Sequence, residues 1–340
     1  MRLGVDAYNL AEDRRGMGRV VRQILRTLEG IGEAEIVLIT RSTRGAAAVR
    51  QEFSERTILP GELAREHLDA VWYPWNGMRF APHAPSIVTI HDPFAFTYPH
   101  RSLVARRREQ SPIERAIKQA DRIFAVSNWT AGELYRLFDV DEARLCVVPN
   151  AIDPFWHPVA VPATEPYMLL LAGPEERKNV AMLLRAYESA FEDAAPKLVV
   201  AGTLSERDER AFEKLRAPHL RVHPSDKELR ELYSGAFAVL VPSLAEGYGL
   251  PALEAMACGA AVIASDAAAL PETCGGAAML VRPDENAWRD ALCTISIDEN
   301  LRRDLRVRGL ERVRRMNPTD PARALLTCVC ELSGSFGVSR

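Results

Sequence analysis

The stretch Pro242–Glu254, PSLAEGYGLPALE, sets two carboxylates, Glu246 and Glu254, on either side of a Gly-x-Gly turn and a proline. Pro251 suits the first positions of a helix, where a missing N–H costs nothing and the fixed φ helps. Gly247 and Gly249 permit φ > 0 or close approach of the backbone to a ligand. The N–H groups of Gly249 and Leu250 would then open a helix N-terminus, a place suited to phosphate. Glu254, near the end of the first helical turn, is placed to accept from a diol. Together these residue types fit a phosphate-bearing ligand flanked by sugar hydroxyls. They also fit an ordinary strand–loop–helix turn with a solvated Glu246 and a Glu254 that stabilises the first helical turn. The stretch alone leaves both open.

Four further groups could do chemistry. Arg177 and Lys178 follow the run Tyr167–Ala172, and two cations at such a βα turn can hold a diphosphate, Arg by a fork and Lys as a point charge. A solvated basic pair is the other reading. Ile87–Ile90 is β-branched and ends in His91-Asp92-Pro93, at the carboxyl end of a parallel strand, where α/β sheets place ligands. A histidine that merely ends the strand fits as well, and Asp92 shapes the loop. Arg14-Arg15-Gly16-Met17-Gly18-Arg19 lies about ten residues past the first strand, too far for the tight dinucleotide fingerprint, so it reads as a loop ended by a helix start. Trp72, Tyr73, Pro74, Trp75 and Phe80 form either a core anchor or a surface that stacks on a sugar ring.

These groups need elements to hold them, and strand and helix patterns alternate along the whole chain, which implies parallel sheets covered by helices. Strands are expected at Arg2–Asp6, Glu35–Thr40, Ala70–Tyr73, Ile87–Ile90, Arg122–Val126 and Leu145–Val148, then at Tyr167–Ala172, Lys197–Ala201, Leu220–His223, Ala238–Val241 and Ala261–Ser265. Helices are expected after Gly18 (Val20, Val21, Ile24, Leu25, Leu28), over Trp129–Leu137, after Asn179, over about Asp226–Ser234, and near Leu301–Arg315 and Ala322–Leu332. Pro149, Pro154, Pro158, Pro162 and Pro166 crowd one aperiodic span, which is linker chemistry and puts a domain boundary near residue 160.

Composition sets the outer limits. A length of 340 residues suits two domains, each with its own core. Hydrophobic residues make up 47% and charged residues 26%, as in an ordinary globular protein, and a net charge of -3 points to no nucleic-acid partner. Against that balance, Arg101–Arg122 holds seven basic residues and three acids, with Leu103, Val104, Ile113 and Ile117 on an apolar side. It is either a solvated helical face or a patch for anionic lipid or a lipid-phosphate acceptor. No apolar run reaches membrane-spanning length, and MRLGVDAYNL reads as a first strand rather than a signal peptide. The six cysteines are scattered, without C-x-x-C spacing, and read as free thiols of a reducing cytoplasm.

From Pro242 to Val262 the chain reads PSLAEGYGLPALEAMACGAAV, which resembles the E-x7-E element of the retaining glycosyltransferases of family 4, also called group 1. Members typically read PS-x-x-EGFGLP-x-x-EAMA-x-G-x-PV; here Tyr248 replaces Phe and Ala261 replaces Pro. Arg177-Lys178-Asn179 matches the family's R-K-N, Pro149–Asp153 its P-N-G-I-D with Ala151 for Gly, IFAVSNWTAGEL its V-S-x-x-T-x-x-x-L, and Leu270-Pro271-Glu272 its L-P-E turn. GMGR is similar to its G-x-G-R loop, and His91-Asp92 to its strand-ending His-Asp. Departures are Pro174-Glu175-Glu176 before the cations, and His223-Pro224-Ser225, which lacks the Gly many members carry where the base binds. The resemblance is loose in the first half and close from Pro149 to Pro283.

It implies an α/β GT-B fold, two Rossmann-like domains facing across a deep cleft. Residues 1–160 would form an acceptor-side domain and 161–315 a nucleotide-sugar domain, with a C-terminal helix, about 316–340, packing back on the first. The implied reaction moves a hexose, with retention, from a nucleotide-diphosphate sugar to a hydroxyl of a sugar, lipid-linked sugar or small molecule, with no metal and no cofactor. In this reading the catalytic residues are His91, Glu246, Arg177 and Lys178. The diphosphate meets Arg177, Lys178, Gly249, Leu250, Gly16 and Gly18, with Arg19 beside them. The donor sugar meets His91, Glu246, Gly247, Tyr248 and Gly249, and Glu254 meets the ribose. The GMGR start and the N-A-I-D crossover lean toward bacterial polysaccharide, lipopolysaccharide or glycolipid synthesis, mannosyl among the options, in the cytoplasm or at the inner face of its membrane. A sugar-nucleotide epimerase of the same fold, a glycoside phosphorylase and a non-catalytic nucleotide-sugar-binding subunit are the competing readings.

Overall fold

The computed structural model describes residues 1–13, 16–162, 165–191 and 195–334. Arg14 and Arg15 of the expected glycine loop, and the last residues of the helix expected over about 316–340, lie outside them. Contacts divide the chain into two compact units, residues 1–153 with the C-terminal segment from Asn317, and Pro154–Met316.

The first unit carries a parallel sheet of β1 (Arg2–Asp6), β2 (Glu35–Ile39), β3 (Arg56–Ile58), β4 (Ala70–Tyr73), β5 (Ser86–Ile90), β6 (Arg122–Ala125) and β7 (Leu145–Val147), in the order β3-β2-β1-β4-β5-β6-β7. The second carries β8 (Tyr167–Ala172), β9 (Lys197–Gly202), β10 (His219–Val222), β11 (Ala238–Val241), β12 (Val262–Ser265) and β13 (Met279–Val281), in the order β10-β9-β8-β11-β12-β13. Central strands of parallel sheets are shielded on both faces and so read as unbroken apolar runs. SIVTI of β5 and AVLV of β11 are buried at every position. In each unit the chain works outward from one central strand, then returns to its other side. The reversal falls between β1 and β4 in the first sheet and between β8 and β11 in the second. Loops leaving the carboxyl ends of two such strands part there and leave room for a ligand.

The helices between strands were mostly legible, and their ends follow capping chemistry. Ser127 opens the helix Asn128–Leu137 by accepting from the Thr130 N–H, and Ser225 with Glu228 makes a capping box for Asp226–Gly235. Two short strands, β3 and β13, and the helix Glu285–Ile297 went unread in the sequence. The helix had a usable signal: Asp284 caps it, and Trp288, Ala291, Leu292 and Ile295 repeat at helical spacing. The last described helix, Asp320–Leu332, buries Ala322, Leu325, Leu326 and Val329 and packs on the helix Met17–Ile31 of the first unit. Trp72, Tyr73 and Trp75 are buried, so the sugar-stacking alternative for them is corrected: they are core, with Phe80 packed on the Tyr73 ring.

Asp6 ends β1 at the reversal point and is fully buried. Its Oδ1 accepts from the Tyr8 N–H at 2.9 Å, and its main-chain oxygen accepts from Trp75 Nε1 at 2.6 Å. Burial pushes its carboxyl up from 3.8 to about 7, the Tyr8 N–H and the charge of Arg79 offsetting only part. The folded value lies above the unfolded one, so its contribution to stability is fully present below about 3.8 and is lost as pH rises through about 7. Asp6→Asn, an uncharged isostere, should therefore melt higher than wild type at pH 8, by up to about 4 kcal/mol of unfolding free energy, and no higher at pH 4. A gap between the two proteins that does not change with pH in chemical denaturation would show that the carboxyl is ionised in the fold.

Candidate functional site

In the second unit the loops after β8 and β11 lie side by side because their strands pair. Asn179, in the left-handed region at φ 56°, ends the first loop and starts the helix Val180–Ala190. Its Nδ2 donates to the Pro242 carbonyl at 3.3 Å, and the Leu244 N–H donates to the Arg177 carbonyl at 2.7 Å. These two bonds stitch the loops together.

Glu246 sits at the seam, only 8% exposed. Lys178 Nζ donates to its Oε1 at 2.7 Å, and the Ser243 hydroxyl donates to the same oxygen at 2.7 Å. Arg177 Nη1 stands 3.5 Å from Oε2 and donates to the Ala245 carbonyl at 3.2 Å. Burial alone would raise this carboxyl, but the charges of Lys178 and Arg177 and the Lys178 and Ser243 hydrogen bonds outweigh it and hold Glu246 below its ordinary value. Glu246 is thus an ionised, acceptor-only group with lone pairs to spare, clamped between two cations. The solvated alternative for Glu246 is excluded.

The glycine turn follows. Gly249 has φ 95°, and a Cβ there would lie 2.9 Å from Leu270 Cδ2, so both conformation and space demand glycine. Gly249 caps the helix Leu250–Ala257, which has Pro251 in its opening turn. The Ala252 N–H already donates to the Gly249 carbonyl at 3.1 Å, and the N–H groups of Gly249 and Leu250 at the helix N-terminus are the ones suited to an anion. The Tyr248 ring is buried, so this residue can face a ligand through its backbone only. Its carbonyl accepts from the Thr273 hydroxyl. Glu254 lies mid-helix, 5% exposed, and the Tyr233 hydroxyl donates to its Oε2 at 3.3 Å, with Trp156 edge-on to the Tyr233 ring.

The remaining expected residues are in the first unit. His91 is 7% exposed, and its Nε2 is 3.0 Å from the Pro74 carbonyl. A carbonyl only accepts, so Nε2 carries the proton and Nδ1 keeps a lone pair. Burial lowers His91 to about 4, the Pro74 bond opposing it, so the ring is neutral at physiological pH. The Asn76 side chain accepts from the His91 N–H at 2.5 Å, and the Thr130 hydroxyl donates to the His91 carbonyl at 3.3 Å. Asp92 Oδ1 accepts from the Phe94 N–H at 3.1 Å, as a loop-shaping residue would. Gly16 has φ 42°, and a Cβ on Gly18 would collide with the Asp13 carbonyl. Arg22, unnoticed in the sequence, holds this loop: it is buried, donates to the carbonyls of Leu10, Asp13 and Gly18, and pairs with Glu52 at 2.8 Å. Ser243 and Thr273 were likewise passed over; each is a hydroxyl beside a named site residue, and sequence alone does not tell such hydroxyls from surface ones. Among the described residues, no three His, Cys, Asp or Glu side chains gather as metal ligands would.

The clamp predicts a stability signature. Lys178 and Glu246 side chains are 15% and 10% exposed, so Lys178→Met strands a buried carboxylate and should cost about 2–3 kcal/mol at pH 7. Because folding lowers the pKa of Glu246, its contribution is present above its ordinary 4.5 and fades as pH falls through the lowered value, so the deficit of Lys178→Met should shrink in acid. Adding Glu246→Gln should recover most of the loss in urea unfolding; equal losses in the single and double variants would refute the clamp.

Comparison with known proteins bears on the family and the fold. The family model for Glycosyltransferase Family 4 matches residues 14–155, and that for Glycosyl transferases group 1 matches 165–298. The O-antigen chain mannosyltransferase B of Escherichia coli is 29% identical over 237 residues, 63% of this chain and 62% of that protein. The match thus spans less than two thirds of that relative. In structure, the sucrose-phosphate synthase of Thermosynechococcus elongatus superposes with a TM-score of 0.75 at 20% identity, over 98% of this chain and all of that one. Anabaena HepE, solved in complex with UDP and glucose, superposes with a TM-score of 0.72 at 13% identity, over 96% and 98%. Two parallel Rossmann-like sheets in one chain, matched on both halves by models of one family, place it plainly: the chain belongs to the family 4 (group 1) glycosyltransferases and has their GT-B fold.

Proposed function

We propose that the protein is a retaining glycosyltransferase that moves a hexose from a nucleotide-diphosphate sugar to a hydroxyl acceptor, in the assembly of a bacterial polysaccharide, lipopolysaccharide or glycolipid. The observation that carries this reading is the buried cluster of Lys178, Arg177, Ser243 and Glu246 beside the Gly247–Leu250 turn. As the bond from the sugar to the diphosphate breaks, negative charge grows on the leaving group. Arg177, Lys178 and the backbone N–H groups of Gly249 and Leu250 are preplaced donors for that charge, and preplaced donors cost no reorganisation when the charge develops. In this mechanism the cations of the chain carry the load, with no metal. Lys178 has three donors and can serve Glu246 and a phosphate oxygen together. Glu246 and the 247–249 backbone hold the hydroxyls of the donor sugar, and Glu254 accepts from the ribose diol. His91, neutral, offers Nδ1 to a sugar hydroxyl. Gly16 and Gly18 supply backbone to the donor phosphates. The mannosyltransferase relative favours a mannosyl donor, and the work would lie on the cytoplasmic side of a membrane that holds the acceptor.

A membrane contact fits the first unit. No described helix is long and apolar enough to cross a membrane. The helix Leu103–Gln119, however, exposes Leu103 by 73% and Val104 by 81% next to Arg106, Arg107 and Arg108. Exposed apolar residues beside basic ones suit an anionic lipid surface, where each cation near the surface adds about 1 kcal/mol.

Two outcomes follow. In thermal shift with UDP, GDP, ADP and dTDP, one nucleotide should stabilise wild type, by about 2.7 kcal/mol at 100 times its dissociation constant, and fail to stabilise Lys178→Ala. If no nucleotide shifts wild type at saturation, the transferase reading is wrong. Flotation with vesicles containing phosphatidylglycerol should recover wild type and leave the triple variant of Arg106, Arg107 and Arg108 to Ala behind; equal recovery would remove the lipid contact.

A further inference from the structure

Beneath the Gly247–Gly249 turn lies the short helix Leu270–Cys274, which contains the L-P-E turn that the sequence marks as structural. Thr273 in this helix is 1% exposed, and its hydroxyl donates to the Tyr248 carbonyl. The Tyr248–Gly249 peptide is planar and trans, so its C=O and N–H point in opposite directions. With the carbonyl held down on Thr273, the Gly249 N–H is turned away from this helix. Leu270, one helical turn earlier, fills the space a side chain at position 249 would need. The Ala269 N–H also reaches up, to the Glu246 carbonyl at 3.4 Å. The turn is thus cast on this helix.

The helix is in turn held from behind. Arg312, in the helix Glu299–Arg314, donates from Nε to the Thr273 carbonyl at 2.9 Å and from Nη2 to the Glu272 carbonyl at 3.2 Å. Five residues make a helix too short to stand alone, and these two bonds occupy carbonyls its last turn leaves unmet.

We infer that Thr273, backed by Arg312, is a positioning residue for the donor's diphosphate: it fixes the orientation of the Tyr248–Gly249 peptide and so aims the Gly249 N–H at a phosphate oxygen. The inference rests on the proposed nucleotide-sugar reading and adds residues to it that touch no substrate. Thr273→Val keeps shape and removes the hydroxyl; Thr273→Ser keeps the hydroxyl and removes the methyl.

The test is calorimetric titration of UDP, GDP, ADP, dTDP and their monophosphates into wild type, Thr273→Val and Thr273→Ser, with melting temperatures alongside. The diphosphate that binds wild type should bind Thr273→Val about tenfold more weakly, the size of one lost hydrogen bond of about 1.4 kcal/mol, while the matching monophosphate changes less than about twofold. Thr273→Ser should return the diphosphate to within about twofold of wild type. A lower melting temperature with both nucleotides weakened alike, or with neither weakened, overturns the positioning role and leaves Thr273 a packing residue. Should Thr273→Val fail to fold, Arg312→Met is expected to show the same loss confined to the diphosphate, and an unchanged diphosphate affinity there overturns the inference. If wild type binds none of the four diphosphates, the nucleotide-sugar reading itself fails, and this inference falls with it.

Discussion

A carboxylate taken out of water must be met by charge and hydrogen bonds, and Glu246 imposes that demand on the second unit. Its partners come from two places: Lys178 and Arg177 from the loop after β8, Ser243 from its own loop after β11. Those loops can meet only because β8 and β11 are neighbours, which is where the strand order turns back. The demand of one side chain therefore ties loop to loop and leaves two cations gathered at the carboxyl edge of the sheet. Bringing like charges together is unfavourable; the shared carboxylate offsets it and keeps the pair in place before any ligand arrives.

The first unit handles burial differently. At its carboxyl edge Asp6 and His91 are buried with no ion partner at hydrogen-bond distance among the described residues, and burial drives both toward their neutral forms, Asp6 upward to about 7 and His91 down to about 4. The charge of Arg79 lowers Asp6 too little to reverse this. One unit thus holds preassembled charge at this edge, and the other holds titratable groups that burial drives toward their neutral forms.

Support behind these edges comes from arginine in both units. Arg22 gathers the carbonyls of Leu10, Asp13 and Gly18, and Arg312 gathers those of Glu272 and Thr273. A planar guanidinium carries five donors in a rigid fork, so it can hold several carbonyls in fixed directions, where a lysine offers three donors on one flexible point charge. Loops that must be irregular to meet a ligand are in this way given the main-chain partners that regular structure would have supplied.

Alternation of apolar runs with helical periodicity, the proline-rich span and the Pro242–Val262 motif were enough to read two parallel-sheet units, the strand that delivers Glu246 and the cations at Arg177 and Lys178, because each of these is local in the chain. The short strands β3 and β13, of three residues each, show no period of their own, and β10 is displaced by one residue from where it was expected. What only the tertiary structure decided is who meets whom. That Glu246 is buried rather than solvated, that His91 carries its proton on Nε2, that Trp72, Tyr73 and Trp75 belong to the core, and that Thr273 and Arg312 stand behind the glycine turn all depend on contacts between residues far apart in sequence. Burial and pairing are properties of neighbours in space, and the order of residues in the chain sets those neighbours only through the sheet order that folding imposes.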